Sequence, residues 1–188
     1  MIRLIIGLGN PGRQYEKTRH NAGFWFVDRL ADQYNASWTL EKKIQGRVAA
    51  IEIVKQKIQI LKPETFMNLS GQSVVSLMKY YQISSAECLV IHDELDFEAG
   101  VVRLKQGGGH GGHNGLRSII ACVGSNEFPR LRIGIGKPKT MQSVADYVLA
   151  TPEKIELKEI NAAFNNVFQN LEQLVSGDFE LVMRKIHI

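Results

Sequence analysis

Two short runs constrain this chain more than anything else in it. Cys88-Leu89-Val90-Ile91 is apolar at every position, and Ile2-Arg3-Leu4-Ile5-Ile6 is nearly so. Successive side chains of a strand point to opposite faces, so a strand with one wet face alternates polar and apolar residues. A strand without alternation is covered on both faces, as in the centre of a sheet packed between helices. Each run ends in sequence of another kind. Gly7-Leu8-Gly9-Asn10-Pro11-Gly12 follows the first, and His92-Asp93 follows the second, with Asp93 at the strand's C-terminal end.

The rest of the chain supplies partners for these strands. Apolar spacing predicts a helix over residues 24–34. Two β-rich segments, residues 47–54 and 57–61, predict a hairpin turning at Lys55-Gln56. Asn68 or Ser70 stands where it would cap a helix running to about Tyr80. Residues 101–105 read as a strand, the glycine-rich loop 107–115 leads into a helix through Ala121, and residues 131–135 read as another strand. Ile160, Phe164, Val167, Phe168, Leu171, Leu174 and Val175 recur at helix spacing in a helical final part. The expected fold is α/β: a single domain over residues 1–188, with a mixed, mostly parallel twisted sheet flanked by helices on both faces.

Composition bounds the rest. Hydrophobic residues make up 44% and charged residues 22% of the 188, which is ordinary globular material. No apolar run approaches the ~20 residues that span a bilayer, and the opening run is too short for a signal-peptide core. A cytoplasmic, monomeric protein is expected, with no membrane partner. The two cysteines, Cys88 and Cys122, lack C-x-x-C spacing and are expected as buried free thiols. A net charge of +4 permits a polyanionic partner without demanding one.

In open α/β sheets ligands bind beyond the carboxyl ends of the strands. Asn10, Asp93 and the loop after Lys105 are expected at such ends. Gly7 to Gly12 fits G-x-G-x-x-G, but a dinucleotide site also needs a helix starting at the third glycine and an acid at the end of the next strand. Here Arg13 to Asn21 follow the glycines, and Asp32 lies inside a helical pattern. His20, in the polar loop Thr18-Arg19-His20-Asn21-Ala22-Gly23, is either a capping or surface group or a general base. With an ordinary pKa of roughly 6.5 it could accept a proton, and Asp93 could orient it. Glu94, Asp96 and Glu98 lack calcium-loop spacing and read as a solvated turn. The histidines at 20, 92, 110 and 113 fit no zinc-ligand spacing, so no metal and no cofactor is expected. Asn10, Asn68 and Asn114 stand at element ends, where capping and ligand binding are both open. Lys105, Arg130, Arg132, Lys137 and Lys139 are either scattered charge or one basic patch for RNA.

Taken together, these segments resemble the bacterial peptidyl-tRNA hydrolases. The likeness runs through Gly7 to Gly12 with Tyr15, Thr18 to Gly23, Lys62-Pro63-Glu64-Thr65-Phe66-Met67-Asn68-Leu69-Ser70-Gly71, Asp93-Glu94-Leu95-Asp96, Gly111-Gly112-His113-Asn114-Gly115, and Arg130-Leu131-Arg132-Ile133-Gly134-Ile135-Gly136. The resemblance implies a metal-free enzyme that cleaves the ester between a peptide and tRNA, recycling tRNA from prematurely released peptidyl-tRNA. It implies that His20 is the catalytic histidine, Asp93 the acid paired with it, and Asn10 an asparagine near the attacking water. Tyr15, Phe66, Met67, Asn68, His113 and Asn114 would line the substrate cleft. Phe66 stands where many members carry tyrosine. Lys105 and Arg132 would contact tRNA phosphates near the acceptor end, and residues 138–148 would form a mobile flap. The implied chemistry is a single displacement by water, since no G-x-S-x-G elbow is present and neither cysteine lies in a polar loop. Two rivals stay open. A general carboxylesterase would keep the His20–Asp93 pair without needing tRNA, and a non-catalytic RNA-binding module would keep the basic patch without needing the histidine.

Overall fold

The strands are β1 (Leu4–Gly7), β2 (Thr39–Glu41), β3 (Gly46–Ile53), β4 (Gln56–Pro63), β5 (Cys88–Glu94), β6 (Val102–Gln106) and β7 (Pro129–Gly134). The helices are α1 (Ala22–Gln33), α2 (Ser70–Tyr81), α3 (Asn114–Val123), α4 (Val144–Val148), α5 (Lys154–Phe168), α6 (Leu171–Ser176) and α7 (Phe179–Ile186). The computed structural model describes residues 1–138 and 141–187. Among the described residues the strands form one sheet in the order β2-β3-β4-β1-β5-β7-β6. β1 pairs in parallel with β4 and β5, and β5 with β7, while β3 and β6 run the other way. The sheet is mixed and mostly parallel, as the sequence predicts.

The two apolar runs lie side by side at its centre, with Leu4 opposite Cys88 and Ile6 opposite Val90. Their alternate side chains serve two cores. Ile5, Leu89 and Ile91 pack with Phe26, Val27 and Leu30 of α1 and with Phe164, Val167, Leu171, Leu174 and Val182 of α5–α7. Leu4, Ile6 and Val90 pack with Val74 and Leu77 of α2 and with Leu116 and Ile119 of α3. Burying a Leu or Ile side chain on either face contributes about 1.5–3 kcal/mol, which is why Leu4–Ile6 and Cys88–Ile91 carry no polar residue.

The approach of α1 to the sheet places the histidine loop. A Cβ on Gly23 would collide with the Ile91 carbonyl and the Leu8 backbone, and one on Gly7 would collide with the Gly23 carbonyl. The helix therefore packs on β1 and β5 backbone to backbone, and the Phe24 amide donates to the Leu8 carbonyl at 3.2 Å. The G-x-G pair thus serves helix packing, and the helix begins at Ala22 rather than at Gly12.

Several local expectations are corrected. The hairpin turns at Val54-Lys55, both with positive φ (50° and 58°), because Ile53 pairs with Gln56. Neither Asn68 nor Ser70 caps α2 by its side chain. A 3-10 turn, Met67–Leu69, precedes that helix, and the Ser70 hydroxyl donates backward to the Met67 carbonyl at 2.9 Å. Cys88 is buried as expected, but Cys122 is exposed on the last turn of α3. Because β6 is antiparallel, Lys105 sits across from Arg130 at the level of Val90, away from the rim where Asp93 lies. The glycine loop then carries the chain back to that rim. Of the expected flap, Lys139 and Thr140 fall outside the described residues. Its later part forms α4, moored by a hydrogen bond from the Tyr147 hydroxyl to the Ile135 carbonyl at 2.7 Å.

Candidate active site

Three side chains from three elements meet at the carboxyl rim of β1 and β5. Asp93, next to last in β5, is buried. His20 lies in the 3-10 turn Arg19–Asn21 that opens α1, and His113 immediately precedes α3. His20 Nδ1 stands 2.9 and 3.0 Å from the two Asp93 carboxylate oxygens, and His113 Nε2 stands 2.9 Å from Oδ1. The tautomers follow from the partners. His113 Nδ1 accepts from the Gly115 and Leu116 amides at 3.1 and 3.4 Å, so the proton is on Nε2 and is donated to Asp93. His20 donates from Nδ1. Among the described residues its Nε2 makes no hydrogen bond, and the His20 side chain is partly exposed.

The electrostatics agree with this geometry. Burial alone would lower the His20 pKa, but the charge and hydrogen bond of Asp93 outweigh it and raise the pKa above the ordinary 6.5. Burial would raise Asp93, and the two imidazoles hold it well below the usual carboxylate range. His92 completes the cluster. Burial, His113 and Arg130 push its pKa down to about 3, against the pull of Asp93, so this imidazole is neutral. Its Nδ1 donates to the Asp93 carbonyl at 2.7 Å, and its ring packs edge-on against His113 at 4.9 Å.

Asn10 enters the same rim from the loop after β1. Its side-chain oxygen accepts from the Met67 amide at 2.8 Å, which fixes the flip of the amide. Among the described residues Nδ2 has no partner, and it is not closed off from solvent. Tyr15 and Phe66 meet edge to face at 6.3 Å, linking the loop after β1 to the turn before Met67. Asn68 and Asn114 are exposed, next to Met67 and His113 respectively. Asn114 does not cap α3, one of the two roles the sequence leaves open for it. The His113 ring does so, and Asn114 accepts from Arg117 at 3.0 Å.

The basic residues divide. Arg132 and Arg103 are cross-strand neighbours, and Lys105 lies on the same face of β6 one pair further along, exposed. The Arg132 guanidinium lies 4.7 Å over the Phe97 ring. Arg130 is corrected from phosphate candidate to structural clamp. It is 2% exposed and donates to the Gly108 carbonyl and, at 2.6 Å, to the Gly109 carbonyl, holding the glycine loop down. Lys137 is spoken for by Asp96 at 2.6 Å. Lys139 falls outside the described residues.

The sequence assigned no role to the two residues flanking His20. Arg19 is buried, paired with Glu156 at 2.7 Å and stacked on Tyr147 at 4.3 Å. Its backbone amide donates to the Ala150 carbonyl at 3.0 Å. Asn21, also buried, bonds to Asn10. Their signal in the sequence is only adjacency to His20: the partner of Arg19 lies 137 residues away, and nothing in the local spacing marks the pairing of Asn21 with Asn10.

A mixed sheet covered on both faces, with a histidine–aspartate pair at its carboxyl rim, defines an α/β protein whose site is suited to activating water. The comparisons with known proteins are specific. The family profile described as peptidyl-tRNA hydrolase matches residues 4–188, and the chain belongs to that family. It is 50% identical over 188 residues to the peptidyl-tRNA hydrolase of Methylococcus capsulatus, covering 100% of both chains. It is 50% identical over 186 residues to that of Coxiella burnetii, covering 99% of this chain and 97% of the relative. The crystal structure of peptidyl-tRNA hydrolase from Acinetobacter baumannii superposes with a TM-score of 0.94 at 45% identity, covering 99% of this chain and 94% of the other.

Proposed function

We propose that the chain hydrolyses the ester between a peptide, or an N-blocked amino acid, and the 3′ end of tRNA, recycling tRNA from prematurely released peptidyl-tRNA. The observation that carries the mechanism is the state of His20, with Nδ1 held on Asp93 and Nε2 open. Nε2 takes a proton from a water molecule as that water attacks the ester carbonyl. Asp93 holds the ring in the required tautomer and stabilises the imidazolium that forms. Asn10 Nδ2 is the donor placed to meet the developing oxyanion. The ribose hydroxyl leaves with the proton from His20, and no covalent intermediate is needed. Burial pushes the Cys88 thiol up to about 12, which removes it as a nucleophile.

Ligand atoms of His20, Asp93 and His113 lie within 4.8 Å of one another, a spacing that could suggest an ion. The His113 ring argues otherwise. Its Nδ1 already accepts from two backbone amides, so Nε2 presents a proton to Asp93 rather than a lone pair to a metal. The reading is therefore metal-free and without cofactor. Tyr15, Phe66, Met67, Asn68 and Asn114 line the approach for the peptide and the tRNA end, and Lys105 and Arg132 meet phosphates near the acceptor end. A monomer suffices, because every group in the mechanism comes from one chain.

The test is release of N-acetyl-amino acid from N-acetyl-aminoacyl-tRNA in chelating buffer, with unblocked aminoacyl-tRNA as control. Wild type is expected to release the blocked residue and spare the control. His20→Ala is expected to lose about 10²–10⁴-fold in kcat. Full release by His20→Ala would move the chemistry elsewhere, and none by wild type would leave an RNA-binding protein.

A further inference from the structure

Asn21 is 2% exposed and stands immediately before α1, where an asparagine ordinarily caps a helix by accepting from its first free amides. It makes no such bond. Its amide turns the other way. Oδ1 accepts from the Asn10 backbone N–H at 2.8 Å, and Nδ2 donates to the Asn10 carbonyl at 3.0 Å. One side chain thus holds both backbone groups of Asn10, as a neighbouring strand would. The Asn10 side-chain oxygen is held by the Met67 amide at 2.8 Å. Three of the hydrogen-bonding groups of Asn10 are therefore committed inside the protein, and among the described residues Nδ2 is left over.

We propose that Asn21 is a positioning residue for the reaction: by clamping the backbone of Asn10 it fixes the separation between the base on His20 and the amide donor on Asn10. His20 and Asn21 are consecutive, so one peptide unit connects the base to the clamp. The two halves of the machinery come from different segments, the loop after β1 and the turn before α1, and the Asn21 side chain links them directly. A positioned donor loses its effect steeply with displacement, since a shift of about 1 Å can cost on the order of 10²-fold in rate. This inference rests on the reading of Asn10 as the oxyanion donor.

The experiment is a double-mutant cycle on Asn21→Ala and Asn10→Ala. It measures kcat and KM on N-acetyl-aminoacyl-tRNA, with thermal unfolding and NMR titration of the His20 ring alongside. Asn21→Ala is expected to lower kcat by about 10–100-fold, leave KM within about twofold, and leave the His20 titration unmoved. The double variant is expected to be no slower than Asn10→Ala alone, because the clamp acts only through its partner. Losses that multiply, or a wild-type kcat in folded Asn21→Ala, would overturn this proposal while leaving the donor reading intact. An unchanged kcat in Asn10→Ala would overturn both. If Asn21→Ala does not fold, Asn21→Asp carries the same cycle, since it keeps the acceptor for the Asn10 amide and loses only the donor.

Discussion

Asp93 accepts from two imidazoles, and they are held in different ways. His113 is locked as a donor by the amides at the start of α3, and His92 is held neutral with its pKa at about 3. His20 is the imidazole that Asp93 holds by Nδ1 while Nε2 stays open among the described residues. Its raised pKa sets the direction of the pH profile. The base must be neutral to act, so kcat/KM is expected to rise through an acid limb lying above the ordinary 6.5. Asp93→Asn removes both influences that raise the pKa and leaves burial, which lowers it. The limb of that variant is expected below 6.5, with kcat reduced by about 10²–10⁴-fold. A limb that stays in place would mean that another group sets the profile. Little of this network is legible from the sequence. His20 and Asp93 can be singled out from a polar loop and a strand end, but the tautomer of His113 depends on a capping bond that no spacing announces.

At the scale of elements, the geometry of the site depends on how closely α1 seats on the sheet. Gly23→Ala would drive a methyl group into the Ile91 carbonyl and the Leu8 backbone, and the helix would have to lift. Overpacking of this kind costs about 1–3 kcal/mol, so a lower Tm is expected. A fall in kcat is expected with it, because His20 lies three residues upstream of the contact. Gly23→Ala with unchanged Tm and kcat would show that the helix can shift without carrying the histidine. The central strands are legible because burial on both faces removes alternation, and the helices follow from their apolar stripes. The hairpin turn is less so, since Val54-Lys55 adopts positive φ without the asparagine or glycine that marks such a turn. The direction of β6 is hidden altogether. It is set by pairing with β7, a contact between segments whose own sequences read equally well either way.

At the scale of the molecule, the charge proposed to meet tRNA sits on the β6–β7 edge. Arg103 and Lys105 lie on the same face as Arg132, and Arg103 adds a cation that the spacing alone did not single out. Replacing Lys105 or Arg132 by alanine is expected to raise KM for the tRNA substrate. Each is also expected to reduce the slope of log KM against log salt by about one per phosphate contact removed. Arg130→Met is the informative contrast. Its guanidinium is spent on the glycine loop, so stability should fall while the salt slope stays. Equal salt slopes in wild type, Lys105→Ala and Arg132→Ala would remove this edge from the tRNA interface.

Arg19 ties the turn that carries His20 to Glu156, across 137 residues of chain. Both flanks of the proposed base are thus anchored, one near the beginning of the sequence and one close to its end. A ribosome that has made only the first two-thirds of this protein has already supplied His20 and Asp93, but not the helix that seats Arg19. The turn that carries His20 is therefore tied down only once the last third of the chain, with Glu156, has been made.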